Sequence, residues 1–174
     1  MAAEVKKEIQ LEIAHVLFID IVGYSKLSIN EQRAAVDELT QVVRSSDQYQ
    51  RAEAAARLIK ISTGDGIGLV FYTSPEAPAQ CAVEISRVLK EHPRLQLRMG
   101  VHSGPVSGVI DVNERANLAG AGLNIAKRVM DCGDAGTFLS PNTSPRIWKN
   151  TNIGGLSCTV SANAKLNTEC VSRS

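Results

Sequence analysis

The chain has 174 residues, with 19 basic and 18 acidic side chains and a formal net charge of +1. That length suits one domain, and the charge balance excludes the basic excess expected of a general nucleic-acid or anionic-membrane binder. With 44% hydrophobic and 21% charged residues the chain can build a core, so global disorder is excluded too. Cys81, Cys132, Cys158 and Cys170 make no CxxC pair and no Cys/His ligand spacing. The N-terminus is charged, without the apolar stretch of a secretory leader, so these cysteines read as reduced thiols and the expected location is cytoplasmic. The longest apolar run contains an Asp, and no membrane insertion is expected.

Residues 1–11 read as a lead-in. Val16-Leu17-Phe18-Ile19-Asp20-Ile21-Val22, closed by Gly23, is β-rich and apolar throughout, the pattern of a strand covered on both faces. A helix is expected from Ser28 or Asn30, with Glu31 in its first turn and Ala35, Val36, Leu39, Val42 and Val43 at helical spacing. A short Ala-rich helical piece near Arg51–Arg57 leads into Leu58-Ile59-Lys60-Ile61. Thr63-Gly64-Asp65-Gly66 then has Asp-Gly hairpin chemistry before a second strand, Ile67–Tyr72. Another helix is expected over Glu76–Glu91, with Ala82, Ile85, Val88 and Leu89 on one face. A strand follows over Leu95–His102, resuming at Val106–Ile110 after a Gly-Pro break. Asp111–Asn117 reads as a polar connector, Leu118–Met130 as a helix, and Thr137–Ser140 as a short strand. The order is that of an α+β protein with a mixed sheet.

Residues 141–174 change character. They are polar and aperiodic, and read as an atypical tail, disordered or non-native. With free codon choice, another reading frame after Ser140 encodes a far more helical sequence, which favours the non-native alternative.

Asp20 is the sharpest anomaly. An unpaired carboxylate inside an apolar strand costs several kcal/mol. It reads either as a cap for the following turn or as a metal ligand or catalytic acid at a strand end. Asp65 alone is explained by its hairpin turn. Together the two carboxylates can bridge a pair of Mg²⁺ ions of the kind that bind a nucleoside triphosphate. Ile21-Val22-Gly23-Tyr24-Ser25 would then offer backbone N–H groups to phosphates. Asn124 and Arg128, four apart on one helix face, read as a solvated stripe or as a donor pair for charge developing on phosphorus.

Four segments occur in order: Phe18-Ile19-Asp20-Ile21-Val22-Gly23-Tyr24-Ser25; Thr63-Gly64-Asp65-Gly66 with Val70-Phe71; Arg98-Met99-Gly100-Val101-His102-Ser103-Gly104-Pro105-Val106; and Gly120-Ala121-Gly122-Leu123-Asn124-Ile125-Ala126-Lys127-Arg128. Over residues 12–140 the chain resembles the class III adenylate/guanylate cyclase catalytic domain, in its bacterial branch. The resemblance implies the nucleotide cyclase fold, a ferredoxin-like, palm-type mixed β-sheet with helices packed on it. It implies metal binding by Asp20 and Asp65, transition-state roles for Asn124 and Arg128, and two Mg²⁺ or Mn²⁺ ions per site. The implied reaction converts ATP or GTP to a 3′,5′-cyclic nucleotide and pyrophosphate at the interface of a homodimer. A non-catalytic nucleotide-binding or dimerisation sensor module on the same fold is the alternative.

The departures from the family lie at the base. The position of the usual purine-reading Lys is Ile61, and adjacent Lys60 should point to the opposite face of its strand. The second base-reading position aligns with Asn117. The family's phosphate-binding Lys has no clear counterpart, since Lys149 and Lys165 fall in the tail.

Overall fold

The computed structural model describes residues 11–110, 116–132, 138–139 and 158–159. Its centre is β1 (Leu11–Ile21), which pairs antiparallel with β3 (Gly66–Phe71) on one side and with β4 (Leu97–Ile110) on the other. β2 (Leu58–Ser62) extends the sheet beyond β3, and β5 (Ala116–Ala119) pairs with the far end of β4. Two-residue strands β6 (Phe138–Leu139) and β7 (Cys158–Thr159) add parallel pairings beyond the near end of β4, so the sheet is mixed.

The uninterrupted apolar run in β1 has its expected cause, since both faces are covered. Leu17, Ile19 and Ile21 pack with α1 (Ile29–Arg44), α2 (Asp47–Ala54) and α3 (Ala77–Val88). Ala14, Val16 and Phe18 pack instead with Leu123, Ala126 and Met130 of α4 (Ala121–Asp131). This second layer is tight. A Cβ at Gly100 would lie 2.4 Å from the Met130 backbone nitrogen, so α4 rests directly on the backbone of β4.

Helix entry follows the local sequence. Ser28 caps α1 in a reciprocal capping box with Glu31. The Ser46 hydroxyl caps α2, accepting from the Tyr49 N–H at 3.2 Å. α2 therefore starts before the Ala-rich piece expected near Arg51–Arg57. It is ended by Ala56, whose positive φ of 53° turns the chain toward β2.

Other boundaries also shift. β1 begins at Leu11, inside the expected lead-in, because Leu11 and Ile13 extend the ladder opposite Ser107 and Pro105. β4 runs through Gly104-Pro105 without a break. Its pairing with β5 starts only at Ser107, so Pro105 lies where one side of the strand is open, as proline requires. Leu118 and Ala119, expected to open the last helix, belong to β5. The helix expected over Glu76–Glu91 is α3 followed by a 3-10 turn at Leu89–Glu91. The expectation of an irregular tail over 141–174 falls outside the described residues, apart from Cys158 and Thr159 in β7.

The β2–β3 hairpin is present, but its turn differs from a two-residue Asp-Gly turn. Gly64 carries the positive φ of 91°, while Gly66 is already the first residue of β3. Gly66 is required for another reason. A Cβ there would lie 2.0 Å from the Ile19 carbonyl oxygen. Gly66→Ala is expected to destabilise the fold by about 3 kcal/mol through overpacking. That corresponds to a fall in Tm of about 6–12 °C for a chain of this size. A thermal melt within about 2 °C of wild type would contradict this account of the β1–β3 contact.

Candidate functional site

Asp20 sits one residue before the end of β1, with Gly66 opposite it on β3 and Arg98 opposite it on β4. It follows the strand alternation of Val16 and Phe18 and lies on the α4 side of the sheet. The residue is only 7% exposed. Its Oδ2 accepts a hydrogen bond from Arg98 Nη2 within an ion pair. Its Oδ1 is buried and has no hydrogen-bond partner among the described residues. Burial pushes the carboxyl above its ordinary range; Arg98 opposes this, and the neighbouring Asp65 carboxylate adds to it.

Asp65 arrives from the hairpin, half-buried. Its carbonyl accepts from the Ile21 N–H at 3.1 Å, and the Thr63 N–H closes the turn on the Gly66 carbonyl at 3.2 Å. The hairpin is thus tied to the end of β1, which sets the second carboxylate beside the first. A buried carboxylate oxygen without a partner, next to another carboxylate, is a donor set suited to a hard divalent cation. The residues fit Mg²⁺ or Mn²⁺. No group of three or more His, Cys, Asp or Glu side chains gathers among the described residues. Two carboxylates leave most of a cation's coordination to phosphate oxygens, backbone and water, the usual division in Mg²⁺–nucleotide sites.

The turn after β1 is narrower as a donor set than its sequence implied. The N–H groups of Ile21 and Val22 are engaged, the latter donating to the Gln96 carbonyl at 2.9 Å. Among the described residues, Gly23, Tyr24 and Ser25 donate to no backbone acceptor, so the expectation of free donors narrows to these three. Neither engagement is visible along the chain, because one acceptor is Asp65 in the β2–β3 turn and the other is Gln96 just before β4.

Of the two positions expected to face the base, Ile61 stands opposite Gly68 in the β2–β3 ladder and packs on the layer containing Phe18 and Val70. Lys60 points the other way, as the strand alternation predicts. Its Nζ donates to Glu53 Oε1 at 2.8 Å, and it lies over the Tyr49 ring. Asn117 is in register with Val109 in the β4–β5 ladder.

Asn124 and Arg128 are exposed on the outer side of α4, and so is Lys127. The inner side of α4, with Leu123, Ala126 and Met130, is spent on the sheet. Neither Asn124 nor Arg128 makes a hydrogen bond or ion pair to Asp20 or Asp65 among the described residues. The structure brings the two aspartates together and leaves the Asn/Arg pair facing outward. The residue that the sequence analysis left out of the site is Arg98. It belongs to a quoted motif, but only the β1–β4 register reveals that it meets Asp20.

No family model matches the chain. The catalytic core of a rhodopsin–guanylyl cyclase with converted specificity, solved in complex with ATPαS, superposes with a TM-score of 0.61 at 22% identity, covering 76% of this chain and 79% of that one. The guanylate cyclase domain of RhGC from Catenaria anguillulae, in complex with GTP, gives 0.60 at 22% identity over 74% and 78%. The chain has the class III nucleotide cyclase fold. A bacterial light-regulated adenylyl cyclase shares this cyclase fold with a TM-score of 0.56 at 21% identity, over 70% of each chain. In sequence, the "Putative adenylate cyclase 3" of Rhizobium meliloti is 28% identical over an alignment of 138 positions that covers 75% of this chain and 22% of that protein. The resemblance stated from the four motifs thus agrees with the fold and with a curated cyclase sequence. Among the described residues of this cyclase fold, no helix is long and apolar enough to cross a membrane.

Proposed function

We propose that the chain is a nucleotidyl cyclase domain, spanning residues 12–140, that converts ATP or GTP to a 3′,5′-cyclic nucleotide and pyrophosphate. The observation that carries this reading is the buried, unpartnered Oδ1 of Asp20 beside Asp65 on a cyclase fold. Asp20 and Asp65 would hold the two divalent cations, Mg²⁺ or Mn²⁺. Their chemistry would be that of a Lewis acid, lowering the pKa of the ribose 3′-hydroxyl and offsetting the charge of the triphosphate. The 3′-oxygen attacks the α-phosphorus, its proton passes to solvent, and the bond from that phosphorus to the β-phosphate bridging oxygen breaks. Gly23, Tyr24 and Ser25 donate backbone hydrogen bonds to the phosphates. Asn124 and Arg128 offset the charge that develops on the α-phosphoryl group.

Their outward placement on α4 favours a site shared between two copies. In a twofold homodimer each copy would give its aspartates to one site and its Asn/Arg pair to the other. The solved relatives include forms described as monomeric and as a non-canonical dimer. A cytoplasmic setting, where the nucleoside triphosphate is abundant, accords with the reading.

The test is incubation with Mn²⁺ and ATP or GTP, with separation of the products. Cyclic nucleotide plus pyrophosphate is expected, and triphosphate recovered unchanged from a folded protein would overturn the proposal.

Base selection should be weak. A buried hydrogen bond dedicated to an exocyclic group supports large discrimination. Ile61 offers none, and an Asn at 117 can present a donor or an acceptor. ATP and GTP should differ by about tenfold or less in kcat/KM. Competition kinetics giving a ratio above about a thousandfold would show that another residue reads the base.

A further inference from the structure

Ser103 belongs to the third quoted segment, and the catalytic scheme above makes no use of it. In the β1–β4 ladder it stands directly opposite His15, and its Oγ lies 2.7 Å from His15 Nδ1. The pair is on the side of the sheet that carries α1, α2 and α3, away from Asp20 and α4, because His15 keeps the alternation of Leu17 and Ile19. Ser103 is exposed and His15 half-buried, so the hydroxyl is open to a reagent while the ring is held. Burial keeps the imidazole below its ordinary pKa, hence neutral at pH 7. With its proton on Nε2, the ring accepts from the Ser103 hydroxyl, the arrangement of a nucleophile beside its general base. Glu76, at the N-cap of α3, is the one charged group among the described residues that acts on the ring, and it favours the imidazolium formed when the proton is taken.

The sheet face next to this pair is apolar and uncovered. Ile13 and Pro105 form the next cross-strand pair on the same face, followed by Leu11 opposite Ser107. Leu11 is 66% exposed and Ile13 64%. Two large apolar side chains in a row, leading to a hydroxyl with a base, match a molecule with an apolar tail and an electrophilic head.

We propose that Ser103 and His15 form a nucleophile–base pair that accepts the acyl group of an activated carboxylic ester, whose chain lies along Ile13 and Leu11. The Ser103 oxygen attacks the ester carbonyl carbon, and its proton moves to His15 Nδ1. The bond from that carbon to the leaving alcohol oxygen breaks, and the alcohol departs with the proton. Ser103 is left as an O-acyl ester. Water then attacks the acyl carbon and gives its proton to His15 Nδ1; the Ser103 oxygen leaves with that proton, freeing the carboxylic acid. These steps involve neither Asp20 nor Asp65, so the site stands apart from the cyclase reading.

The test exposes the folded full chain to p-nitrophenyl octanoate or p-nitrophenyl acetate and follows the acyl adduct on Ser103 by peptide mass spectrometry. An adduct at Ser103 is expected in wild type and equally in Asp20→Ala. In His15→Gln, which keeps hydrogen-bonding groups but no base, Ser103 acylation should slow about a hundredfold. Ile13→Gln should slow octanoyl transfer about fivefold and leave acetyl transfer within about twofold, because only the longer chain reaches the apolar row. Acylation should fall in acid as the ring takes up a proton, and Glu76→Gln should move that fall to lower pH, since the Glu76 charge holds the ring's pKa up. No Ser103 adduct in folded wild type, or adducts spread over lysines without preference for Ser103, would overturn the inference. So would an unchanged rate in folded His15→Gln. If His15→Gln does not fold, the wild-type profile decides, and Ser103 acylation that does not change with pH across the imidazole range overturns the role of His15.

Discussion

Asp20→Ala and Asp65→Ala are each expected to lower cyclic nucleotide formation by about a thousandfold or more, since losing metal stabilisation of several kcal/mol costs about tenfold per 1.4 kcal/mol. Both carboxylates are needed because one comes from the end of β1 and the other from the β2–β3 turn, which leaves little redundancy; among the described residues no third acidic, His or Cys side chain joins them. The fold should survive. In Asp20→Ala the freed Arg98 guanidinium is 29% exposed at the side chain and can be solvated, and removal of a carboxylate that burial has already pushed upward relieves part of a desolvation cost. Asp65 lies in a turn whose backbone bonds, Ile21 N–H to the Asp65 carbonyl and Thr63 N–H to the Gly66 carbonyl, do not involve its side chain. The measurement is product formation with Mn²⁺ and triphosphate, alongside a thermal melt and Mn²⁺ calorimetry. Folded variants with unchanged Mn²⁺ affinity, or with more than about a tenth of wild-type turnover, would remove these residues from the site.

The sequence showed most clearly what local chemistry controls. The two-faced apolar run of β1, the Ser28/Glu31 capping box and the face of Lys60 are all set by periodicity or capping over a few residues. Features set by distant pairing were less visible. β1 starts at Leu11 because β4 is long enough to pair with it, and β5 displaces the start of the last helix because Leu118 and Ala119 find partners on β4. The hairpin illustrates the same limit. Asp65-Gly66 looked like its turn, yet Gly64 takes the left-handed conformation, and Gly66 is glycine because β1 passes too close for a Cβ.

In the candidate site, Asp20 stood out because a carboxylate in an apolar strand demands a reason. Its partner Arg98, 78 residues away, could not stand out, because a cross-strand neighbour is invisible until the register is known. The loss of the Ile21 and Val22 N–H groups as phosphate donors is of the same kind, set by contacts with Asp65 and Gln96. Asn124 and Arg128 were legible as a pair through helical spacing. Their exposure shows that the face they share looks away from the sheet.

That outward face makes complementation between defective copies the most direct test of the account, in which one cyclase site is assembled from the aspartates of one copy and the Asn/Arg pair of another. Asp20→Ala and Arg128→Ala should each be nearly inactive alone; losing a positioned donor to a developing anion typically costs about a hundred- to a thousandfold. When the two variants are refolded together in equal amounts, half of the dimers should be mixed, and in each of these both defects fall in the same site. The other site then has all four residues, so about a quarter of wild-type activity should return. Native mass spectrometry establishes that mixed dimers form, and cyclic nucleotide production is read on the same sample. Recovery near a quarter is the predicted result; no recovery with mixed dimers present would contradict the shared site.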